Sequence, residues 1–102
     1  MTVAATFTQA CCIDAAHPAF PGHFPGQPLV PGVVLLEQVA VALRAWRQQR
    51  MARVLEAKFL APLLPAQTAQ VCLTEMIGSM RVRFEIQRDG MLLARGVVEG
   101  AT

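Results

Sequence analysis

His23 and Glu37 are the two side chains whose types and spacing most readily suggest chemistry. They lie fourteen residues apart, on either side of a segment rich in proline and glycine. These two residue types restrict and redirect the backbone, so they could hold the His23 imidazole in one direction. Because the unperturbed pKa of histidine lies near neutrality, His23 is a candidate general base. The alternative is a loop histidine that only hydrogen-bonds the backbone.

Glu37 is the only ionisable side chain between His23 and Arg44, and it falls in an otherwise apolar stretch that predicts a buried helix. A buried carboxyl group without a partner favours its protonated form, which is the form that a general acid requires. The alternatives are a glutamate on an exposed strip of the helix or one in a structural ion pair with an arginine. The sequence marks Glu37 as a candidate acid and leaves these alternatives open.

The predicted helix starts at Pro31 and Gly32, between these two candidates. Proline is favoured in the first turn of a helix. Gly32 has no side chain in front of its N–H group, and N–H groups at a helix start are free to donate to a developing oxyanion. An enolate-like thioester oxygen would suit this polarity. The alternative is a simple turn glycine.

The composition favours one domain, residues 1–102, that is partly covered by another subunit. Of the 102 residues, 54% are hydrophobic and 16% are charged. Because a domain of this size buries only part of its apolar surface by itself, we expect a homo-oligomer. The net charge of +2 is too small to favour a nucleic-acid partner.

We expect neither a secretory leader nor insertion into a membrane. The first ten residues lack a basic segment followed by an apolar run. The longest apolar run, Val33–Leu43, is interrupted by two polar residues and is too short to cross a bilayer. The cysteines have no metal-binding spacing, and we expect small buried strand residues in a reducing cytoplasm. They are Cys11, Cys12 and Cys72, of which the first two would point to opposite faces of a strand.

The hydrophobic pattern predicts one helix and five strands. The helix follows Pro31, is apolar on nearly every side, and emerges into water at its arginine-rich end. Asp14–Gly32 holds five prolines and three glycines and predicts a structured loop, while Asp89-Gly90 predicts a hairpin turn. A largely antiparallel sheet that covers the helix on several sides satisfies this order, so the predicted class is α+β. The predicted strands are Thr2–Ile13, Met51–Leu60, Thr68–Ile77, Met80–Gln87 and Met91–Glu99.

The residues from His23 to Glu37 resemble a known enzyme signature. It reads His-Phe-Pro-Gly-x-Pro-x-x-Pro-Gly, then four mostly apolar residues, then Glu or Asp, and every fixed position is matched. The signature is typical of the bacterial 3-hydroxyacyl-acyl-carrier-protein dehydratases of fatty-acid synthesis. Weaker resemblances at Lys58–Pro65 and Asp89-Gly90 extend the likeness over Ala16–Glu99.

This resemblance implies a hot-dog fold, in which a long central helix is wrapped by an antiparallel sheet. It also implies a homodimer, or a trimer of dimers, whose subunits pair through their sheets. Each active site would take the histidine from one subunit and the acid from the other. The family reaction is the reversible loss of water from a (3R)-hydroxyacyl thioester to give the trans-2-enoyl thioester. The substrate arrives on the phosphopantetheine arm of an acyl carrier protein, and no metal or redox cofactor is needed.

Carried onto this sequence, the resemblance makes His23 the base that removes the C2 proton. Glu37 of the other subunit would protonate or orient the departing C3 hydroxyl. The Gly32 N–H would hold the thioester oxygen as negative charge builds. Further substrate contacts are expected from Phe24, Pro31 and Val33.

Three departures from the family pattern bear on these roles. Val41 stands where the family often has a glutamine four residues after the acid, which removes a polar neighbour of Glu37. Pro65-Ala66-Gln67 replaces the family's Pro-Gly-Asp turn. Only 22 residues precede His23, so less sequence is available to line an acyl tunnel. This small format resembles the compact dehydratases of aryl-polyene pigment clusters.

Two other functions fit parts of the same pattern. A hot-dog thioesterase would hydrolyse the acyl thioester, although the His-Phe-Pro-Gly loop is not the usual mark of that class. A non-catalytic subunit that binds the acyl carrier would keep the fold without the reaction, although His23 and Glu37 are both intact.

The basic end of the helix also has two interpretations. Its arginines could meet an acidic carrier protein, or they could be solvated charges that favour the negative end of the helix dipole. We expect Trp46, in the same region, to lie in the core or in an interface. The arginines are Arg44, Arg47, Arg50 and Arg53.

Overall fold

The computed structural model describes residues 3–14 and 29–102 of the chain. Each of the five predicted strands and the predicted helix is present, with bounds that differ from the predictions by a few residues. The predicted loop Asp14–Gly32 lies mostly outside the described residues. The elements are β1 (Thr6–Cys12), α1 (Gly32–Arg47), β2 (Arg50–Phe59), β3 (Thr68–Glu75), β4 (Arg81–Arg88) and β5 (Met91–Ala101).

The five strands form one antiparallel sheet in the order β1-β3-β4-β5-β2. This order leaves β1 and β2 at the two edges. The helix lies against one face of the sheet, and the core fills the space between them. The largest fully buried side chains include Leu43 of the helix and Leu73, Phe84, Ile86, Leu93 and Val98 of the sheet.

Strand β4 shows why the alternating pattern was a reliable signal. Val82, Phe84 and Ile86 are buried against the helix side, while Arg81 before them and Arg83 between them are exposed. The turn that follows has positive φ at both central residues, 50° at Asp89 and 79° at Gly90. Positive φ at both positions is the geometry that joins two twisted antiparallel strands with two residues. The predicted hairpin is therefore confirmed.

The helix is covered by the sheet on one side only. Its buried residues are Val34, Leu35, Val39, Ala42 and Leu43. The opposite side carries Val33, Glu37 and Val41, spaced four residues apart, and Val33 and Val41 are 64% and 50% exposed. The prediction that the sheet covers the helix on several sides is therefore wrong for a single chain, because the strands reach only one face. We call Val33, Glu37 and Val41 the open stripe of the helix.

The first edge of the sheet is closed by the end of the helix. The ring of Phe7 on β1 stacks on Trp46, with 6.0 Å between centroids and 13° between planes. Arg47 lies over the same indole, 4.0 Å from its centroid, and its guanidinium donates to Glu75 Oε2 at 2.6 Å. Glu75 Oε1 also accepts from the Ala5 N–H at 3.0 Å. Trp46 packs against the core, which is one of the two locations predicted for it.

The second edge of the sheet is irregular. Strand β2 pairs with β5 through two β-bulges, one between Met51 and Arg53 and one between Val54 and Glu56. Beneath the second bulge lies Gly96 of β5, which has no side chain. A Cβ at Gly96 would collide with the carbonyl oxygen of Glu56 and would lie 2.6 Å from the Phe84 ring. The close approach of the two backbones therefore requires glycine at this position.

The turn before β3 uses alanine in an unusual conformation. Ala66 has a φ of 65°, in the left-handed region that favours glycine. Its N–H donates to the Ile13 carbonyl at 2.8 Å, and Gln67 Oε1 accepts from the Leu64 N–H at 3.0 Å. The chain thus forms a tight turn with Ala66 at the position where the resembled turn has glycine. The two hydrogen bonds hold this turn in place.

The cysteine predictions are partly confirmed. Cys11 and Cys12 do lie on opposite faces of β1, because Cys11 is buried and Cys12 is exposed. The expectation that all three are buried is wrong, since the odd and even positions of an edge strand face different environments. All three thiols are free, and burial raises the pKa of the Cys11 thiol. Within residues 3–14 and 29–102, no helix is long and apolar enough to cross a membrane.

Candidate active site at the start of the helix

The helix begins without the side chain that usually satisfies its first N–H groups. Pro31 is the N-cap residue, in an extended conformation with φ −61° and ψ 149°, and it makes no side-chain capping bond. Its carbonyl accepts from the N–H groups of Val34 at 3.0 Å and Leu35 at 3.2 Å. The N–H groups of the first helical residues, Gly32 and Val33, come before this ladder and have no acceptor in the helix itself. The predicted helix start at Gly32 is confirmed.

An apolar groove of about 300 Å³ opens beside these N–H groups. It runs between the start of the helix and the segment that follows β2. The groove offers room for an apolar chain next to the first turn of the helix, and small-molecule sites typically combine an apolar pocket with a few polar groups. It is lined by Leu29, Val30, Pro31, Gly32, Leu35, Phe59, Leu60, Ala61, Pro62 and Leu63.

Two sets of backbone hydrogen bonds hold the groove in shape. The Val30 N–H donates to the Leu63 carbonyl at 2.8 Å, which ties the residues before the helix to the segment after β2. The N–H groups of Leu60 and Ala61 both donate to the Leu93 carbonyl, at 2.8 and 3.2 Å. Leu63 itself is fully buried. The walls are thus anchored to the sheet and to the core.

Phe59 covers the glycine at the start of the helix. A Cβ placed on Gly32 would lie 2.8 Å from Phe59 Cζ, closer than real Cβ contacts occur. The Phe59 ring is half-exposed, so it forms a wall of the groove on the solvent side. Glycine at this position therefore has a packing reason, because it leaves room for the Phe59 ring.

Glu37 lies on the open stripe of the helix, one turn beyond the groove. Its side chain is exposed, and no ion pair or hydrogen bond joins it to any other described residue. The single chain therefore does not bury Glu37, because the side of the helix on which it lies is not covered by the sheet. Of the alternatives stated for Glu37, the exposed strip of the helix is the one that the single chain shows.

Two of the predicted site residues, His23 and Phe24, lie outside the described residues. The distance between His23 and Glu37 is therefore not a structural observation, and the pairing of the two groups stays a prediction. The remaining predicted site residues cluster at one end of the helix. They are Pro31, Gly32, Val33 and Glu37.

Comparison with known families decides the assignment of the chain. The family described as ApeI-like, the ApeI dehydratases, matches residues 2–97. The match spans nearly the whole sequence, including the signature from His23 to Glu37. The chain belongs to the ApeI-like dehydratase family.

Curated relatives of this ApeI-like chain carry a dehydratase name. The 3-hydroxyacyl-[acyl-carrier-protein] dehydratases FabZ of Klebsiella pneumoniae subsp. pneumoniae and Salmonella arizonae are each 33% identical to it over 96 residues. The aligned region covers 83% of this chain and 58% of each relative. The chain therefore spans somewhat more than half the length of these relatives. The resemblance read from the signature is confirmed.

Solved structures similar to the ApeI-like chain agree on its fold. The dehydratase heterocomplex ApeI:P from Xenorhabdus doucetiae has a TM-score of 0.81 at 22% identity, covering 95% of this chain and 88% of that one. Slr0204, a 1,4-dihydroxy-2-naphthoyl-CoA thioesterase from Synechocystis, has a TM-score of 0.69 at 20% identity, covering 95% and 81%. One architecture thus serves dehydratases and thioesterases, and the predicted hot-dog fold is confirmed.

Sequence reasoning missed some of the groove in this ApeI-like chain. Phe59, Leu60 and Leu63 line it, although the sequence indicated only that they resemble a family segment. The available signal was the run of apolar residues directly after a strand, bounded by two prolines. That run does not reveal which element it faces, because the contact with Gly32 is made across the fold.

The arginines at the basic end of the ApeI-like helix differ in their surroundings. Arg47 is held by Glu75, and Arg53 donates to Glu99 at 3.3 Å on the outer face of the sheet. Arg44 and Arg50 are exposed. Binding of a carrier protein by these residues stays a prediction. In the part of the chain that the structure describes, no group of three His, Cys, Asp or Glu side chains could hold a metal.

Proposed function

We propose that this chain dehydrates (3R)-hydroxyacyl thioesters to trans-2-enoyl thioesters while they are attached to an acyl carrier protein. The observation that carries the proposal is the uncapped helix start at Gly32, which opens on an apolar groove in a chain of a dehydratase family. The groove would take the acyl chain, and the helix N–H groups would face the thioester carbonyl. The relatives named as acyl-carrier-protein dehydratases support the choice of substrate.

In the proposed reaction His23 removes a proton from C2 of the substrate. The electron pair of that C–H bond moves toward the thioester, and the Gly32 N–H stabilises the negative charge on the carbonyl oxygen. Glu37 donates a proton to the C3 hydroxyl, the C3–O bond breaks, and water leaves as the C2–C3 double bond forms. At this point His23 has gained one proton and Glu37 has lost one. Both side chains return to their starting states when His23 releases a proton to solvent and Glu37 takes one up.

We propose that Glu37 acts in the active site of a second subunit. The exposed carboxyl group lies between Val33 and Val41 on the open stripe, two exposed apolar side chains that a second subunit would cover. A second copy that covers the stripe would desolvate Glu37 and supply the missing surroundings. A single partner subunit, in a dimer or a trimer of dimers, would then explain both the apolar excess of the sequence and the uncovered side of the helix.

The remaining parts of the proposal concern what the reaction needs. The substrate would arrive on the phosphopantetheine arm of the carrier, and no metal or redox cofactor takes part. A cytoplasmic location agrees with three free thiols. Thioesterase activity and carrier binding without catalysis are the competing outcomes of the test, since this fold supports other reactions.

The test is an assay of the purified chain with carrier-bound 3-hydroxyacyl substrates of several lengths, including polyene-like chains. Formation of the conjugated enoyl product is followed by its ultraviolet absorption, and released thiol is followed separately. We expect enoyl product without free thiol. Free thiol without enoyl product would make the chain a thioesterase. Binding of the carrier with neither product would make it a non-catalytic subunit.

A second test addresses the shared active site. His23→Ala and Glu37→Gln are each expected to be inactive as pure proteins. When the two variants are mixed and allowed to exchange subunits, some mixed dimers regain one intact site with both groups. Recovery of activity supports a shared site, whereas a mixture that stays inactive after proven exchange would place both groups within one chain.

A further inference from the structure

The end of the molecule at which the helix finishes lies opposite the groove and carries an exposed apolar turn. The turn joins β3 to β4, and its side chains Ile77 and Met80 are 57% and 46% exposed. Gly78 at its apex has a φ of 84°, and a Cβ added there would meet no atom within 4 Å. The turn therefore projects from the molecule with a large apolar side chain on each side of its apex.

Hydrogen bonds within the turn and to the sheet occupy several of its polar groups. The Met76 N–H donates to the Arg81 carbonyl at 3.1 Å, and the Met76 carbonyl accepts from the Ser79 hydroxyl at 2.9 Å. The Ser79 hydroxyl oxygen accepts from the Arg81 N–H at 3.1 Å. The Met80 carbonyl accepts from the Gly100 N–H at 2.9 Å. Because unpaired backbone groups are costly outside water, these bonds lower the cost of moving the turn into an apolar medium.

Three arginines at this end are free of ion pairs. Arg81 follows the turn, Arg50 begins β2, and Arg44 lies near the end of the helix. None of them pairs with a carboxylate of residues 3–14 or 29–102. The carboxylates at the same end, Glu75 and Glu99, are each held by a different arginine. The unpaired charge at this end is therefore positive.

An apolar pocket of about 210 Å³ lies beside two of these arginines. The pocket adjoins the turn through the sheet, since Met51 lies opposite Gly100 and Gly100 donates to the Met80 carbonyl. An apolar pocket with two unpaired guanidinium groups in its wall suits an amphiphile that has an anionic head group. Its lining consists of Ala40, Val41, Arg44, Gln49, Arg50 and Met51.

We propose that this end of the chain binds the surface of a bilayer that contains anionic phospholipid. The residues that we assign to it are Ile77, Met80, Arg44, Arg50 and Arg81, and we call them the distal surface. The two apolar side chains enter the boundary between head groups and acyl chains, and the arginines meet the lipid phosphates, which match the planar guanidinium group. Binding of this kind requires no helix that spans the membrane.

The shape of the distal surface favours a bilayer over an acidic protein. A projecting apolar turn needs a matching groove on a folded protein, whereas it enters a fluid interface without one. The three arginines stand on two strands and a helix, and a lipid surface offers phosphates to all of them at once. Bilayer binding uses none of the residues assigned to the dehydration reaction, so it is tested separately from that reaction.

The first experiment is flotation of the purified chain with lipid vesicles. We expect the chain to float with vesicles of phosphatidylglycerol and phosphatidylcholine, and to stay behind with vesicles of phosphatidylcholine alone. Added salt should weaken the binding, because it screens the attraction between the arginines and the anionic surface.

The second experiment removes the apolar part of the distal surface. The variant I77S/M80S is expected to bind the anionic vesicles about ten-fold more weakly or worse, since it loses two side chains that enter the interface. Met91→Ser is the matched control. Met91 is 59% exposed and follows the other hairpin turn, at the opposite end of the sheet, so its loss should change nothing.

The third experiment removes charge. The variant R44Q/R50Q is expected to bind about ten-fold to thirty-fold more weakly, because each basic residue near an anionic surface contributes about five-fold. The variant R83Q/R95Q removes the same charge from the middle of the outer face of the sheet, where both arginines are exposed. We expect it to bind within about three-fold of the parent.

Three results would overturn the assignment. The first is a parent chain that does not float with the anionic vesicles. The second is equal binding by I77S/M80S and the parent, or equal losses in R44Q/R50Q and R83Q/R95Q, since binding would then follow net charge alone. The third is a chain that ignores vesicles but binds an acidic acyl carrier protein more weakly in I77S/M80S and R44Q/R50Q, which would give the distal surface to the carrier.

Discussion

The two edges of the sheet are completed in different ways. At the β1 edge, the helix-side residue Phe7 is stacked on Trp46, and Arg47 and Glu75 close the surface above them. At the β2 edge, the helix-side residue Val54 is left in water, and the neighbouring start of the helix carries a groove and no capping side chain. The apolar side chain at the β1 edge, which we call the closed edge, is therefore covered within one chain. The apolar side chain at the β2 edge, which we call the open edge, is not.

This difference suggests a division of labour. Changes at the closed edge should lower the stability of the fold, because they remove contacts that a single chain already makes. Changes on the open side should alter assembly or activity and leave the stability of the chain nearly unchanged. The following predictions test that division, and they are ordered by the size of the expected effect.

Glu37→Gln should have the largest effect and should act on activity alone. Removing a general acid or base typically lowers a rate by about 10²–10⁴-fold. Because Glu37 is exposed in the single chain, the thermal unfolding of the variant should differ little from that of the parent. Steady-state kinetics and calorimetry measure the two quantities. Glu85→Gln, which removes a carboxylate from the sheet, is the control and should keep full activity.

Trp46→Ala should have the largest effect on stability. The variant loses the stacked contact with Phe7 and the surface beneath Arg47, and we expect a loss of about 2–3 kcal/mol, somewhat less than for a fully buried tryptophan. Denaturant unfolding measures the change. Val33→Ala on the open stripe is the comparison and should change the free energy of unfolding by less than about 0.5 kcal/mol. Equal losses in the two variants would contradict the division between the edges.

Glu75 should make the closed edge sensitive to acid. The Ala5 N–H and the Arg47 guanidinium lower the pKa of this carboxyl group below its ordinary value of 4.5. A group whose pKa is lower in the folded state stabilises the fold above its unfolded pKa, and that contribution is lost as the pH falls through the folded pKa. Unfolding curves from pH 7 to pH 3 should therefore show a shallower decline in Glu75→Gln than in the parent. Glu99→Gln, on the outer face of the sheet, serves as the control, and identical declines in Glu75→Gln and the parent would refute the prediction.

Ala66→Gly should have the smallest effect and should act on neither edge. The left-handed φ of 65° is strained for alanine and relaxed for glycine, so we expect a gain of about 0.5–1 kcal/mol. The melting temperature measures the gain, and activity should not change. Gln48→Gly tests the same effect at the end of the helix, where φ is 56°. A fall in melting temperature for Ala66→Gly would mean that the alanine methyl group makes a contact worth more than the strain.

The sequence predicted the half-exposed strands best. The alternation of apolar and polar residues from Met80 to Gln87 was enough to predict strand β4 and the face on which each residue lies. The hairpin at Asp89-Gly90 was equally clear, since few residue pairs accept two positive φ angles.

The helix shows what composition cannot decide. Its apolar residues were correctly predicted to form a helix. However, Val33 and Val41 were predicted to be covered by the sheet of the same chain, and both are exposed. An apolar residue predicts that its side chain is buried. It does not predict whether its own chain or another subunit buries it. For that reason the sequence left open whether Glu37 is buried or exposed, while its position on the helix was correct.

The remaining misses concern contacts across the fold. Nothing local in the sequence of β2 indicated its two bulges, since bulges arise from how the strand fits its neighbour. The placement of Phe59 over Gly32 likewise depends on how the end of β2 meets the start of the helix. The signature around His23 predicted a site at the start of the helix, and only the fold revealed the apolar groove beside that helix start.

Gly96 makes the outline of the open edge depend on a residue one strand further in. Any side chain at Gly96 would displace the Glu56 carbonyl oxygen. The faces on which the neighbouring β2 residues lie would then change, although no residue of β2 had been replaced. The course of an exposed edge strand is therefore set in part by a buried residue of the neighbouring strand, and a substitution at Gly96 would act on a surface to which Gly96 itself does not contribute.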